Sequence, residues 1–288
     1  MGVRGTGGLG SVHTRTMLEP LRLLVVALQF LTRLPLPPVA FRPDDLRRAS
    51  ALFPLVGAVV AGIGIGVRAA LEPLWGEGVG TVAALAAMIA VTGALHEDGL
   101  ADTADGLWGG WTPARRLEIM RDSRIGTYGV VALILVLGLR ASLLLPLGLA
   151  AFARAVACGH VLGRASTLLL ARLLPVAAAP TIEDRIEQAA PPVEGEPVRP
   201  RLGAAVVGPL SPRGALAAAL VVVLTMVLAA QVWAVVPLAA ALLSCLLCAQ
   251  LFRRRLGGIT GDTLGAANQL VELAAIAAVV ALVRAGLV

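Results

Sequence analysis

About seven stretches of this chain, 51–75, 80–95, 127–145, 147–170, 214–232, 234–252 and 264–283, are almost unbroken Ala, Val, Leu, Ile and Gly. A helix crossing the hydrocarbon core of a bilayer needs about 20 mostly apolar residues. In lipid the backbone must satisfy its own hydrogen bonds, which leaves helices as the natural form for runs of this length. With 58% hydrophobic and 15% charged residues and a mean hydropathy of +0.86, an ordinary soluble domain is excluded. The expectation is an all-α, polytopic membrane helical bundle of about seven transmembrane helices. A further apolar run, 18–31, is long enough only for an interfacial or re-entrant helix; Arg22 and Arg33 bracket it and Pro35, Pro37 and Pro38 end it. Residues 1–17, rich in Gly, Ser and Thr, are expected to be disordered. No small-residue cleavage site follows 18–31, so a removable signal peptide is not expected. Residues 18–288 then read as a single integral membrane catalytic domain.

The formal net charge of +6 is carried by arginine without any lysine. Arg42, Arg47 and Arg48 precede the first span; Arg115, Arg116, Arg121 and Arg124 follow the second; Arg185, Arg199 and Arg201 follow the fourth; Arg253 to Arg255 follow the sixth. The opposite loops, near 76–79, 146–148 and 232–234, hold no arginine. The positive-inside bias predicts that every basic loop of this multi-pass protein lies in the cytoplasm. Segment 176–213, with its Pro, Glu and Arg, reads as a flexible cytoplasmic loop joining two bundles. Arginines dispersed among apolar spans, with one Tyr and four Trp, do not describe a nucleic-acid surface. Cys158, Cys245 and Cys248 sit mid-span and read as small buried hydrophobes, despite the CxxC spacing of the last two.

Against this oil one polar run stands out: His96-Glu97-Asp98-Gly99-Leu100-Ala101-Asp102-Thr103-Ala104-Asp105-Gly106-Leu107. Four carboxylates within nine residues at a membrane boundary are costly, and function is the default reason for keeping them. In a helix Asp98, Asp102 and Asp105 fall at i, i+4 and i+7, on one face. Like charges stacked this way repel, and a bound divalent cation relieves them. Hard oxygen donors without cysteine favour Mg²⁺, with Mn²⁺ as the alternative. His96 either accepts a proton or orients a carboxylate.

Two more polar islands fall on the same side. In Arg115-Arg116-Leu117-Glu118-Ile119-Met120-Arg121-Asp122-Ser123-Arg124-Ile125-Gly126-Thr127-Tyr128-Gly129, a short amphipathic surface helix carries arginines. Arg115 and Arg116 read equally as neutralising or headgroup contacts and as phosphate ligands, while Arg121 and Arg124 favour a phosphorylated substrate. In the segment from Gly257 to Glu272, a glycine turn feeds a helix start whose free N–H groups suit an anion. Asp262 is there either a ligand or the N-terminal cap. Glu272 lies deep enough in the last span to need a partner and shares a face with Asn268. Arg164, costly in its span, finds natural partners in these carboxylates, whereas Arg140 and Arg154 lie nearer span ends and are expected to snorkel. Acidic metal ligands, arginines and a glycine-turn helix start together describe a phosphoryl-transfer site.

At these residues the chain resembles the cobalamin synthase family, adenosylcobinamide-GDP ribazoletransferase. The likeness is carried by Phe30-Leu31-Thr32-Arg33-Leu34-Pro35, Phe53-Pro54-Leu55-Val56-Gly57 and His96-x-Asp98-Gly99-Leu100-Ala101-Asp102-Thr103-x-Asp105-Gly106. It continues in Met120-Arg121-Asp122-Ser123-Arg124-Ile125-Gly126 and Gly258-x-Thr260-Gly261-Asp262-x-Leu264-Gly265-Ala266. The resemblance implies a membrane enzyme that joins adenosylcobinamide-GDP to α-ribazole or its 5′-phosphate and releases GMP, with Mg²⁺. It implies Asp98, Asp102 and Asp105 as metal ligands, with Glu97 beside them, and Asp262 as a further ligand or a base. Arg121, Arg124 and Arg164 would hold the diphosphate, with Asp122, Thr260, Gly261, Asn268 and Glu272 completing the substrate-binding set. After Leu174-Pro175 the chain departs from the family pattern, with Val176-Ala177-Ala178-Ala179 in place of a Tyr-Ala-Arg-like run. The expected partners are the two substrates and the lipid bilayer, with a homo-oligomer or a complex with other B12-pathway enzymes as a further expectation. A CDP-alcohol phosphatidyltransferase-like enzyme is the runner-up, but Asp98-Gly99-Leu100-Ala101-Asp102 lacks that family's Ala-Arg pair. A transporter would hold its carboxylates near the midplane.

Overall fold

The structure, a computed structural model, describes residues 10–39, 42, 44–177, 208 and 210–288. The chain runs through α1 (Gly10–Leu31), α2 (Asp45–Ala49), a 3₁₀ turn (Ser50–Leu52), α3 (Phe53–Thr92), α4 (Leu95–Gly109), α5 (Pro113–Met120) and α6 (Thr127–Leu144). It continues through α7 (Leu149–Leu173), α8 (Pro212–Ala230), a 3₁₀ turn (Gln231–Trp233), α9 (Val235–Leu256) and α10 (Gly261–Arg284). No strand occurs among the described residues; Val176 and Ile259 form an isolated parallel bridge. The protein is an all-α membrane helical bundle.

Among the described residues, five stretches are long and apolar enough to cross a bilayer: Asp45–Thr92, Thr127–Leu144, Pro212–Trp233, Val235–Leu256 and Gly261–Arg284. The first bends at Gly76 (φ 85, ψ 167), a left-handed conformation open to glycine. Beyond the bend the halves of α3 fold back on each other. A Cβ on Gly64 would meet the Met88 side chain, and one on Gly80 would come within 3.4 Å of Arg68. The stretches expected at 51–75 and 80–95 are therefore an antiparallel pair. α7 matches the stretch expected at 147–170 but is less apolar, because it carries Arg154, His160, Arg164 and Arg172.

α7 and α10 form the centre, packed on each other and on α3, α4, α6, α8 and α9. Outward-facing Leu135, Leu139, Leu220, Leu224, Leu228, Leu243 and Leu247 are exposed, as a lipid-facing surface requires. The ends of the bundle are sorted by its loops. Arg116 donates to the Arg255 carbonyl (2.9 Å), Arg253 to that of Leu173 (3.2 Å), and the Ala177 N–H to that of Ile259 (2.8 Å). The segments after α4, α7 and α9 thus meet at one end, where the described basic loops lie. At the other end the Arg68 guanidinium, over the Phe152 ring, bonds Glu72 and the Leu147 carbonyl.

Three expectations need amendment. α1 starts at Gly10, so helix extends into the stretch expected to be disordered; residues 1–9 lie outside the described residues. The expected flexible loop at 176–213 begins pinned, because the Ile259 N–H bonds the Pro175 carbonyl (2.9 Å) and Ala177 returns the bond. Residues 178–207 of that loop, which include Arg185, Arg199 and Arg201, lie outside the described residues. Finally, Arg140 does not snorkel: it is 3% exposed and bonds inward.

Candidate active site

α4 carries the acidic run, and its approach to α10 is set by glycines. A Cβ on Gly99 would come within 2.8 Å of the Asp262 carbonyl oxygen, and one on Gly265 within 3.4 Å of the Gly99 Cα. Small residues facing each other allow this backbone contact, as in other membrane helix pairs. Two left-handed residues, Gly93 (φ 63) and Ala94 (φ 56), turn the chain from α3 into α4. α10 opens on a capping box: Thr260 Oγ1 accepts from the Thr263 N–H (3.2 Å) and Thr263 Oγ1 from the Thr260 N–H (2.8 Å). The cap is therefore Thr260 and not Asp262, which leaves the Asp262 carboxylate in the first turn with only the Thr260 hydroxyl at 3.4 Å. Thr260, expected to touch substrate, shapes the helix start instead.

Asp98, Asp102 and Asp262 consequently share one region. Asp98 is exposed and Asp102 half-buried. Burial, then the charges of Asp98, Asp262 and Asp105, push the Asp102 carboxyl up to about 7. Among the described residues none of Asp98, Asp102 and Asp262 has an arginine or histidine partner. No three His, Cys, Asp or Glu side chains among the described residues are gathered tightly enough to hold a metal ion as they stand. The donor chemistry nevertheless fits a hard divalent cation: three carboxylates without cationic partners repel one another, and cation binding removes that repulsion.

Asp105 is placed differently from its expected role. Its two oxygens accept the Gly126 (2.7 Å) and Gly129 (2.9 Å) N–H groups at the start of α6, and a Cβ on either glycine would strike the carboxylate. It anchors α6 to α4, its acceptor capacity turned to a helix N-terminus. Asp105 also borders a cavity of ≈ 360 Å³ lined by Arg115, Glu118, Asp122, Arg124 and Tyr128. There Arg124 forks onto Asp122 (3.0 and 2.6 Å), holding that exposed carboxyl down at about 2, and Arg115 pairs with Glu118 (2.8 Å). Arg121 is exposed and has no described partner. Arg116, buried, spends its donors on the Gly110 and Arg255 carbonyls and is structural.

A second polar cluster lies in the interior. Glu272, fully buried, meets Arg164 (3.1 Å), His160 (3.2 Å) and Arg140 (3.3 Å). Arg140 also bonds Gln269, whose amide donates to Glu97 (3.0 Å). Glu97, expected beside the metal ligands, and Arg164 and Glu272, expected to bind substrate, are partners in a buried network, and Asn268, 1% exposed, shares the α10 segment of Gln269 and Glu272. One residue along α4 from Asp98 is about 100° around the helix, which turns Glu97 inward. His160 and Gln269 escaped the sequence reading, and Arg140 was read only as a snorkelling residue; two ionisable residues within apolar spans, Arg140 and His160, were the available signal. His96, 5% exposed, keeps an unpartnered Nδ1 and borders a cleft beside Asp98 and Asp262, of which Gly261 forms part.

A membrane helical bundle with an acidic group and an arginine-lined cavity at its basic end defines a polytopic membrane protein with a charged site at that end. A family model described as cobalamin-5-phosphate synthase matches residues 23–280, and the chain belongs to that family. It is 39% identical to the adenosylcobinamide-GDP ribazoletransferase of Leptothrix cholodnii, over 90% of this chain and 95% of that one. It is 37% identical to the enzyme of that name from Ralstonia nicotianae, over 88% and 93% of the two chains. To its namesake from Azorhizobium caulinodans it is 40% identical, over 86% and 91%. No solved structure matches.

Proposed function

We propose that this chain is a membrane-bound transferase of cobalamin biosynthesis that joins adenosylcobinamide-GDP to α-ribazole or its 5′-phosphate and releases GMP. The observation that carries this reading is the group Asp98, Asp102 and Asp262, without cationic partners among the described residues. Asp98 and Asp262 line the cleft bordered by His96, while Asp105, on the same helix as Asp98, lines the arginine-bearing cavity. An acceptor hydroxyl attacks the phosphorus that bears the cobinamide arm. The new O–P bond forms as the bond to the bridging diphosphate oxygen breaks, GMP leaves with that electron pair, and a carboxylate of the group takes the hydroxyl proton. Asp98, Asp102 and Asp262 would hold Mg²⁺, which supplies charge neutralisation on the phosphate oxygens. Arg121 and Arg124 are the exposed guanidiniums available to the diphosphate, Arg124 by exchanging its Asp122 partner.

The partition of arginines supports an inner-membrane location with the acidic site facing the cytoplasm. The purified chain in lipid nanodiscs, given adenosylcobinamide-GDP, α-ribazole and Mg²⁺, should release GMP. Asp102→Asn should lower the rate about 100-fold or more. Full activity of that variant, or no GMP from folded wild-type protein, would reject the reading.

A further inference from the structure

The cleft beside Asp98 and Asp262, ≈ 160 Å³, has walls of one chemistry and contacts of another. Phe30, Phe53, Leu95 and Leu264 contribute apolar surface, and the Phe30 and Phe53 rings stack with centroids 5.8 Å apart. Besides Asp98 and Asp262, two polar side chains line it. His96 is 5% exposed and its Nδ1 has no partner. Thr167 lies on α7 and is 8% exposed; like the Thr103 hydroxyl on α4, its hydroxyl has no partner among the described residues. Thr32, Thr81 and Thr225 turn their hydroxyls back onto the carbonyl four residues earlier, whereas the Thr167 hydroxyl bonds no described group. A buried ring nitrogen without a partner and an unbonded hydroxyl in an otherwise apolar cleft call for a ligand that satisfies them. A lipid chain would leave both unsatisfied. The exposed Asp98 puts the acidic group at the open side of the cleft.

We propose that this cleft is the subsite for the flat heteroaromatic base of the acceptor nucleoside. The aliphatic and aromatic walls cover the ring, the unsubstituted ring nitrogen accepts from His96 Nδ1–H or the Thr167 hydroxyl, and the ribose hydroxyls emerge beside Asp98 and Asp262. The diphosphate donor then occupies the arginine-lined cavity that Asp105 borders, further along α4. The assignment rests on the transferase reading above, and it fixes which substrate enters from which side.

The test uses the full chain in nanodiscs, with KM for donor and acceptor from GMP release and with direct equilibrium binding of labelled α-ribazole. Thr167→Val should raise the acceptor KM and weaken its binding by about tenfold, leaving the donor KM within about twofold. Leu264→Phe, which fills the cleft, should do the same by a larger factor; the near-isosteric Thr167→Val guards against a folding defect in that variant. With an indole riboside, in which the ring nitrogen is replaced by carbon, the Thr167→Val effect should disappear. If α-ribazole binds and Thr167→Val weakens it while no GMP forms, the cleft assignment stands and the transferase reading fails. If GMP forms but both variants leave acceptor KM and binding unchanged, or raise the donor KM instead, the cleft assignment is overturned.

Discussion

Glu272→Leu removes the carboxylate on which the interior network converges. Glu272 is fully buried, with Arg164 at 3.1 Å, His160 at 3.2 Å and Arg140 at 3.3 Å. Without it, two buried guanidiniums face a single carboxylate, Glu97, 3.9 Å from Arg140. Removing one partner of a buried ionic group costs about 3–5 kcal/mol, because the remaining charge is uncompensated. At about 2–4 °C per kcal/mol, that is a fall in Tm of roughly 10 °C. Arg164→Leu alone leaves the opposite imbalance and should cost a comparable amount. The double variant restores neutrality, with Arg140 facing Glu97, and should be more stable than either single one. Thermal unfolding in one detergent, at one heating rate, measures all four proteins. A double variant whose loss equals the sum of the two single losses would refute the network as described, as would an unchanged Tm for Glu272→Leu.

The Asp102 carboxyl, raised to about 7 by burial and by Asp98, Asp262 and Asp105, binds a proton that a cation must displace. Cation affinity should therefore be full above about pH 8 and fall as pH drops through 7, with half-saturating Mg²⁺ about tenfold higher at pH 6; titration of activity against Mg²⁺ at each pH checks this. Gly129→Ala drives a Cβ into the Asp105 carboxylate and to 3.0 Å from the Ala101 carbonyl, and should cost about 1–3 kcal/mol together with activity, whereas Gly138→Ala, in open space, should not. Arg116→Met gives up bonds to the Gly110 and Arg255 carbonyls and should cost about 2 kcal/mol in thermal unfolding. Arg115→Met, at an exposed pair, should cost less than about 1 kcal/mol.

The helices were legible because lipid leaves an apolar run of this length little choice of structure, and the break at Gly76 follows Pro73 within a few residues. The face shared by Asp98 and Asp102 follows from helical spacing, and the neighbourhood of Asp262 from the helix start that Gly261 opens. Spacing along one helix says nothing of the rotation of its neighbours. That is why Glu97, adjacent to Asp98, reads as a fellow ligand yet turns toward Gln269 and Arg140. Asp105 shares the face of Asp98 by spacing, but the start of α6 reaches it first. The Gly126-x-x-Gly129 pair carried that information, since glycines three apart admit a close approach that any side chain would block. Asp262 reads as a cap by residue type; Thr260 wins because Thr263 completes the reciprocal pair.

The central claim is that carboxylates from α4 and α10, far apart in sequence, form one cation site. Mn²⁺ binding to the purified chain in nanodiscs, followed by electron paramagnetic resonance, tests it most directly. Wild-type protein should hold one Mn²⁺ that Mg²⁺ displaces, and Asp98→Asn and Asp262→Asn should each weaken it by about tenfold or more while Glu97→Gln does not. Mn²⁺ binding that survives Asp262→Asn unchanged would contradict the claim.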